Sequence, residues 1–98
     1  MQTFIARLNP DKIALYEQIH DEMTAVHADS IRSNYHRLDI FRIDEVLIML
    51  VERRPEPLSP ATDEDKARGE RWHASLAECF AEGWRPSELI FSLATAGK

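Results

Sequence analysis

The fold is decided by a hairpin with the sequence HRLDIFRIDEVLIMLVE, at residues 36–52. His36–Ile43 and Val46–Glu52 are predicted to be its strands, because both are rich in apolar residues and the intervening Asp-Glu pair suits a turn. In the second strand all of residues 46–51 are apolar, so both of its faces carry apolar side chains. Such a strand has to be covered on both faces. Helices are expected to cover one face of the sheet, and a second copy of the chain the other.

The segment before the hairpin is predicted to be a strand followed by a helix. Thr3–Leu8 alternates with the period of a strand. Asn9 can cap a helix, and Pro10 suits its first position because the missing N–H costs nothing there. The helix is predicted to run from Pro10 to about Ala28, and the polar residues 29–34 are predicted to connect it to the hairpin.

A loop, a second helix and a last strand are predicted after the hairpin. Three prolines mark Arg53–Ala61 as the loop. Thr62 caps the helix, whose first turn is acidic and therefore favourable to the helix dipole. The apolar stripe of this helix consists of Trp72, His73, Leu76, Cys79 and Phe80. Gly83 is predicted to end the helix, and Ser87–Ala94 is predicted to be the last strand because its apolar residues alternate.

The predicted order β-α-β-β-α-β is that of a ferredoxin-like α+β fold. It corresponds to a four-stranded antiparallel sheet with two helices on one face. The open face is expected to meet its copy in a dimeric α+β barrel. With 98 residues, the chain is predicted to be a single domain spanning residues 1–98.

Composition and charge restrict the classes of function. Apolar residues make up 44% of the chain and charged residues 30%, which is typical of a globular protein. The net charge of −5 without a basic stripe argues against a nucleic-acid partner. Cys79 is the single cysteine, so neither an intramolecular disulfide nor a zinc motif is expected. Because no leader and no long apolar run is seen, we expect a cytoplasmic protein with no membrane partner.

His20 is the strongest candidate for a catalytic residue. On a helical wheel, Tyr16 and His20 lie in the apolar arc of the first helix, which spans roughly 160° and faces the sheet. One interpretation is a group that points into a cavity above the sheet. The other is a buried histidine with one ring nitrogen bonded to the backbone, and position alone does not separate the two.

The other histidines and the tryptophans have weaker claims. His27, near the predicted helix end, is interpreted as a surface histidine or one favoured by the helix dipole. A metal site is not expected, because His20 and His27 would lie about 10 Å apart along one helix axis. Trp72 is a core residue or, since the face of an indole packs on the C–H side of a sugar ring, a ligand platform. Trp84 is predicted to pack the loop after Gly83 onto the body.

Four motifs occur in an order that resembles the L-rhamnose mutarotase family. They are Tyr16-Glu17-Gln18-Ile19-His20, Ile40–Asp44, Arg71-Trp72-His73 and Ser87–Phe91. The resemblance implies a homodimeric ferredoxin-like barrel that interconverts the α and β anomers of a sugar without a cofactor. It also implies that His20 is the acid/base residue, that Tyr16 contacts the sugar, and that Trp72 is the first of a pair of aromatic contacts.

The chain departs from the family pattern in the sugar-contacting residues. His73 stands where a second tryptophan is expected, and Leu38 where a second tyrosine is expected. Thr24-Ala25 replaces a Trp-Pro pair. The resemblance therefore implies Tyr16, Leu38, Trp72 and His73 as the substrate-binding positions, with half of the aromatic cage altered.

The function predicted from these residues is mutarotation of a monosaccharide such as L-rhamnose. The reaction needs one or two groups that titrate near neutrality, and histidine has a reference pKa of about 6.5. Neither a metal nor another cofactor is called for. Two alternatives stay open: another cofactor-free enzyme on the same fold, such as a monooxygenase or an isomerase, and a non-catalytic module that binds a small molecule.

Overall fold

A computed structural model describes residues 1–93 of the chain. Its elements are β1 (Gln2–Leu8), a 3-10 turn (Pro10–Lys12), α1 (Ile13–Asp21), α2 (Ala25–Asn34), β2 (Tyr35–Ile43), β3 (Val46–Arg53), α3 (Asp63–Ala77) and β4 (Phe80–Pro86). The strands form an antiparallel sheet in the order β2-β3-β1-β4. The predicted α+β class and ferredoxin-like order are confirmed, except that the first helix is divided in two.

The hairpin forms as predicted. β2 and β3 pair with Ile40 opposite Met49 and Ile43 opposite Val46. Asp44 in the turn has a positive φ of 53°, which aspartate tolerates better than most residues because its short polar side chain can hydrogen-bond locally. Each strand is one residue longer than predicted, at the end away from the turn.

The prediction of one continuous helix from Pro10 to Ala28 is wrong. The backbone N–H of Met23 bonds to the carbonyl oxygen of His20 in a tight last turn, and α1 ends at Asp21. Thr24 then begins a new helix, since its side chain accepts a hydrogen bond from the backbone N–H of His27. Residues 29–34, predicted as a polar connection, are the second half of α2.

The predicted last strand is also wrong. α3 ends at Ala77, and β4 begins only three residues later and pairs with β1. Gly83 therefore lies within a strand, and Trp84 packs its ring 5.9 Å from that of Phe80. The described part of the predicted strand, residues 87–93, contains no strand; Ala94 lies outside the described residues. The apolar alternation that predicts a strand here lies after β4, which is Phe80–Pro86.

The capping box at the start of α3 confirms the predicted cap. Thr62 Oγ1 accepts a hydrogen bond from the backbone N–H of Asp65, and the Asp65 carboxylate accepts one from the backbone N–H of Thr62. These bonds, together with those from Arg68 and Ser30, hold the pKa of the Asp65 carboxyl far below its usual range. No helix among residues 1–93 combines the length and apolar character needed to cross a lipid bilayer.

The core lies between the helices and one face of the sheet. Its most buried side chains are Leu8, Leu47 and Cys79. Ala6, Tyr16 and Leu76 complete the buried cluster, so the predicted stripe is confirmed for Leu76, whereas Cys79 is buried in the turn after α3. The other residues predicted for this stripe are not in the buried cluster: Trp72 is half-buried, His73 is exposed and Phe80 is the first residue of β4.

The opposite face of the sheet is apolar at its centre and polar at its edges. Phe41, Ile48 and Ile5 form a row across β2, β3 and β1, since each pairs with the next in register. Charged residues flank this row. Among them, Arg7 forms an ion pair with Glu45, with 2.8 Å between the guanidinium nitrogen and the carboxylate oxygen. The helices leave this face open, and its covering by a second copy stays a prediction.

Candidate functional site

His20 is held on α1 by a hydrogen bond to the preceding turn. Its Nδ1 lies 2.8 Å from the carbonyl oxygen of Tyr16. A carbonyl oxygen can only accept, so the proton of the neutral ring resides on Nδ1 and the lone pair is on Nε2. The ring is therefore orientated, and its second nitrogen can take up or release a proton.

The rings of Tyr16 and Trp72 both contact the ring of His20. The ring centroids of Tyr16 and His20 are 4.4 Å apart, and those of His20 and Trp72 are 5.0 Å apart. Phe80 continues the row at 5.7 Å from Tyr16, and His27 lies 4.8 Å from Trp72. A helix spacing of four residues brings Tyr16 and His20 together, whereas α3 supplies Trp72.

His20 lines two clefts beside the sheet. One, of about 490 Å³, lies between the helices and the edge strand β2, and Leu38 also lines it. The other, of about 360 Å³, is lined by Tyr16 and by Arg42 of β2. Both volumes are within the range of small-molecule sites. Trp72 lines neither of these clefts, and neither does His73, which is exposed on α3.

Tyr16 is suited to donate a hydrogen bond and unsuited to act as a base. Its side chain is buried, with 4% of the residue exposed. Burial, and to a lesser extent the nearby Cys79 thiol, raises the pKa of the Tyr16 phenol to about 12. The phenol is therefore protonated at neutral pH, and the imidazole beside it is the candidate acid–base group.

His27 is the residue that sequence reasoning misplaced. It is only 7% exposed, and neither of its ring nitrogens has a hydrogen-bond partner in the described part of the chain. It lies in the first turn of α2, at the N-terminal end of that helix, and not near the C-terminal end of a longer first helix. Burial is the main cause that lowers the pKa of His27, with further contributions from Arg68 and His73. Thr24, a capping residue three positions earlier, was the signal that could have located it.

Replacing His27 by Leu is expected to raise the free energy of unfolding by about 1–3 kcal/mol at neutral pH, because a buried polar ring without partners is removed. The gain in the free energy of unfolding should be larger at acidic pH. Since the pKa of His27 is lowered on folding, the unfolded chain binds a proton that the folded chain does not, and stability falls as the pH drops below about 6.5.

Urea unfolding of the wild type and of His27→Leu at pH 7.5 and pH 5.5 measures this difference in stability. His36→Leu is the matched control, since His36 is exposed on β2, and it should change stability little. Equal stability of wild type and His27→Leu at both pH values would contradict the unpartnered, neutral state of His27.

A metal centre finds no support in this geometry. Within residues 1–93, no three side chains among His, Cys, Asp and Glu are grouped as a metal ion would require. His20 and His27 both contact Trp72 through their rings. The site is thus a set of aromatic and imidazole rings, in which His20 borders open space.

Comparisons with known proteins identify a family and similar folds. The sequence model of the L-rhamnose mutarotase family matches residues 2–93. No curated protein matches the chain significantly. Among solved structures, the L-rhamnose mutarotase from Formosa agariphila is similar, with 15% sequence identity, coverage of 94% of this chain and 96% of that one, and a TM-score of 0.65.

A second similar structure is that of a candidate antibiotic biosynthesis monooxygenase from Nitrosomonas europaea. It has 18% sequence identity, coverage of 88% of this chain and 83% of that one, and a TM-score of 0.56. At such identities the two structures establish the fold alone. The family match extends over nearly the whole sequence, and the chain therefore belongs to the L-rhamnose mutarotase family.

Proposed function

We propose that the chain interconverts the α and β anomers of a monosaccharide by acid–base catalysis without a cofactor. Family membership supports the class of reaction. The observation that carries the assignment to His20 is its Nδ1 hydrogen bond to the Tyr16 carbonyl oxygen, which leaves Nε2 as the atom that exchanges a proton. His20 also borders both clefts that lie beside β2.

The proposed reaction begins when Nε2 of His20 accepts the proton of the anomeric hydroxyl. The bond between the anomeric carbon and the ring oxygen breaks, and the imidazolium returns the proton to that ring oxygen. Rotation of the open-chain aldehyde and the reverse steps then close the ring on its other face. Because both oxygens are bound to the same carbon, one imidazole can serve both.

Four residues are proposed to contact the sugar. Tyr16 orientates His20 through its carbonyl group, and its protonated phenol can donate to a sugar oxygen. Trp72 supplies an apolar ring beside His20. Leu38 borders the larger His20 cleft. His73, exposed beside Trp72, is proposed as a contact at the rim.

A homodimer is proposed as the working assembly. Support comes from the apolar row Phe41, Ile48 and Ile5 on the open face of the sheet, and from the polar residues around it. An apolar centre with a polar rim is the usual anatomy of a protein interface. A cytoplasmic setting is proposed as well, consistent with the buried free thiol of Cys79.

Anomer exchange measured by NMR tests the proposed reaction directly. L-rhamnose, L-fucose, D-galactose and D-glucose would each be equilibrated with and without the protein, and magnetisation transfer between the two anomeric proton signals would be recorded. At least one sugar should exchange faster with the protein than in buffer. If none does in a broad panel, the mutarotase proposal fails and a binding module takes its place.

A further inference from the structure

A third cleft opens where the start of α2 meets α3. Its volume is about 380 Å³. His27 and Trp72 form its aromatic wall, and Thr24, the cap of α2, lies at the same end. His20 does not line this cleft, and Trp72 is the one residue that the cleft shares with the proposed sugar contacts.

The charged groups of the cleft are mostly basic. Arg68 and Arg71, one turn apart on α3, both line it, and Glu22 is the one carboxylate among its lining residues in the described chain. Arg68 is fixed by a 2.9 Å ion pair with Asp65. Arg71 is exposed and forms no ion pair with any residue in the range 1–93. Its guanidinium is therefore available to a ligand.

Two further features favour an anion here. The N-terminus of α2 directs its partial positive charge toward this end of the cleft. His27 borders the cleft with two buried ring nitrogens that lack a hydrogen-bond partner among the described residues. A buried polar group without a partner requires an explanation, and a ligand that supplies the partner is one.

We propose that this cleft binds an oxyanion, the phosphate or carboxylate group of a small molecule, with Arg71 as its principal charged contact. Arg71 can hold such a group in a bidentate manner. His27, which lines the same cleft, is proposed as a second donor to it. The anion is either free or carried by a sugar, and the site does not require that His20 be catalytic.

The electrostatics of His27 provide a reporter for this site. Three charged groups line the cleft with it, Glu22 after the end of α1 and Arg68 and Arg71 on α3, and His73 of α3 acts on its pKa. Burial, Arg68 and His73 keep its pKa low. A bound oxyanion would favour the protonated ring, so the pKa of His27 should rise on binding.

The test is an NMR titration of the His27 ring nitrogens in the full chain, with the signals assigned by their loss in His27→Leu. Sodium phosphate would be compared with sodium chloride at equal ionic strength. A saturable shift with phosphate and a higher pKa of His27 are expected, and no saturable shift would overturn the proposal. Glucose 6-phosphate, glucuronate and glucose would be titrated in the same way. Tighter binding of either charged sugar than of phosphate would identify a sugar-borne anion as the ligand. Weaker binding of both charged sugars would identify a free anion.

Arg71→Gln should weaken phosphate binding about tenfold, as expected for the loss of one charge-assisted contact. Lys66→Gln is the matched control, since Lys66 is exposed on the same helix and its loss changes the net charge equally. It should leave the affinity within about twofold. Equal weakening by both variants would show general charge attraction and would overturn the site. Because Arg71 is exposed, its replacement should leave the melting temperature unchanged.

Discussion

His20→Ala is expected to slow anomer exchange by about 10²–10⁴-fold, the usual contribution of a general acid–base group. The variant should still fold. The Tyr16 carbonyl oxygen keeps its backbone partner in α1 when the imidazole is lost, and the His20 ring is only half-buried. Magnetisation transfer between anomers, normalised to folded protein, measures the rate, and thermal unfolding of the same preparation measures stability.

Two variants sharpen the interpretation of His20. His20→Asn keeps an N–H that can bond to the Tyr16 carbonyl oxygen but cannot titrate, so it should be as slow as His20→Ala. Gln18→Ala, on the exposed side of the same helix, should exchange at the wild-type rate. If His20 is structural, its loss would instead cost about 1–3 kcal/mol of stability and leave activity per folded molecule unchanged.

The parts of the fold that could be predicted from sequence are those with local signals. The hairpin follows from two apolar runs around Asp44, and α3 begins at Thr62 because its capping box is complete within four residues. The contact between Tyr16 and His20 likewise needs only the helical repeat. Such features depend on neighbours in the chain, so the sequence contains most of the information that defines them.

The parts that could not be predicted depend on tertiary contacts. Apolar spacing continues across Thr24, and only its capping bond to His27 shows that a new helix begins there. β4 contains Gly83 and few strand-forming residues, and it is a strand because it pairs with β1 and buries Phe80 against Tyr16. The cleft beside Arg71 likewise arises only once α2 and α3 are packed together.

Phe41→Asp is expected to weaken the proposed homodimer by about 3–5 kcal/mol, or about 10²–10⁴-fold in Kd. Phe41 is 53% exposed in the single chain, so the substitution should leave the fold intact. In a symmetric dimer with the sheets face to face, both copies use the same surface patch. The substitution therefore places two unpaired carboxylates in the interface. Sedimentation velocity over a range of micromolar concentrations measures the dissociation.

Leu58→Asp is the matched control for the dimer. Leu58 is 69% exposed in the loop between β3 and α3, away from the sheet face, so the same chemical change there should leave the assembly intact. Wild type should sediment at twice the monomer mass of 11.3 kDa and Phe41→Asp at that mass. A wild type that is monomeric at micromolar concentration would rule out the dimer. A dimer that survives in Phe41→Asp would place the contact elsewhere than on the row formed with Ile48 and Ile5, because burying an uncompensated charge in that row would cost too much free energy.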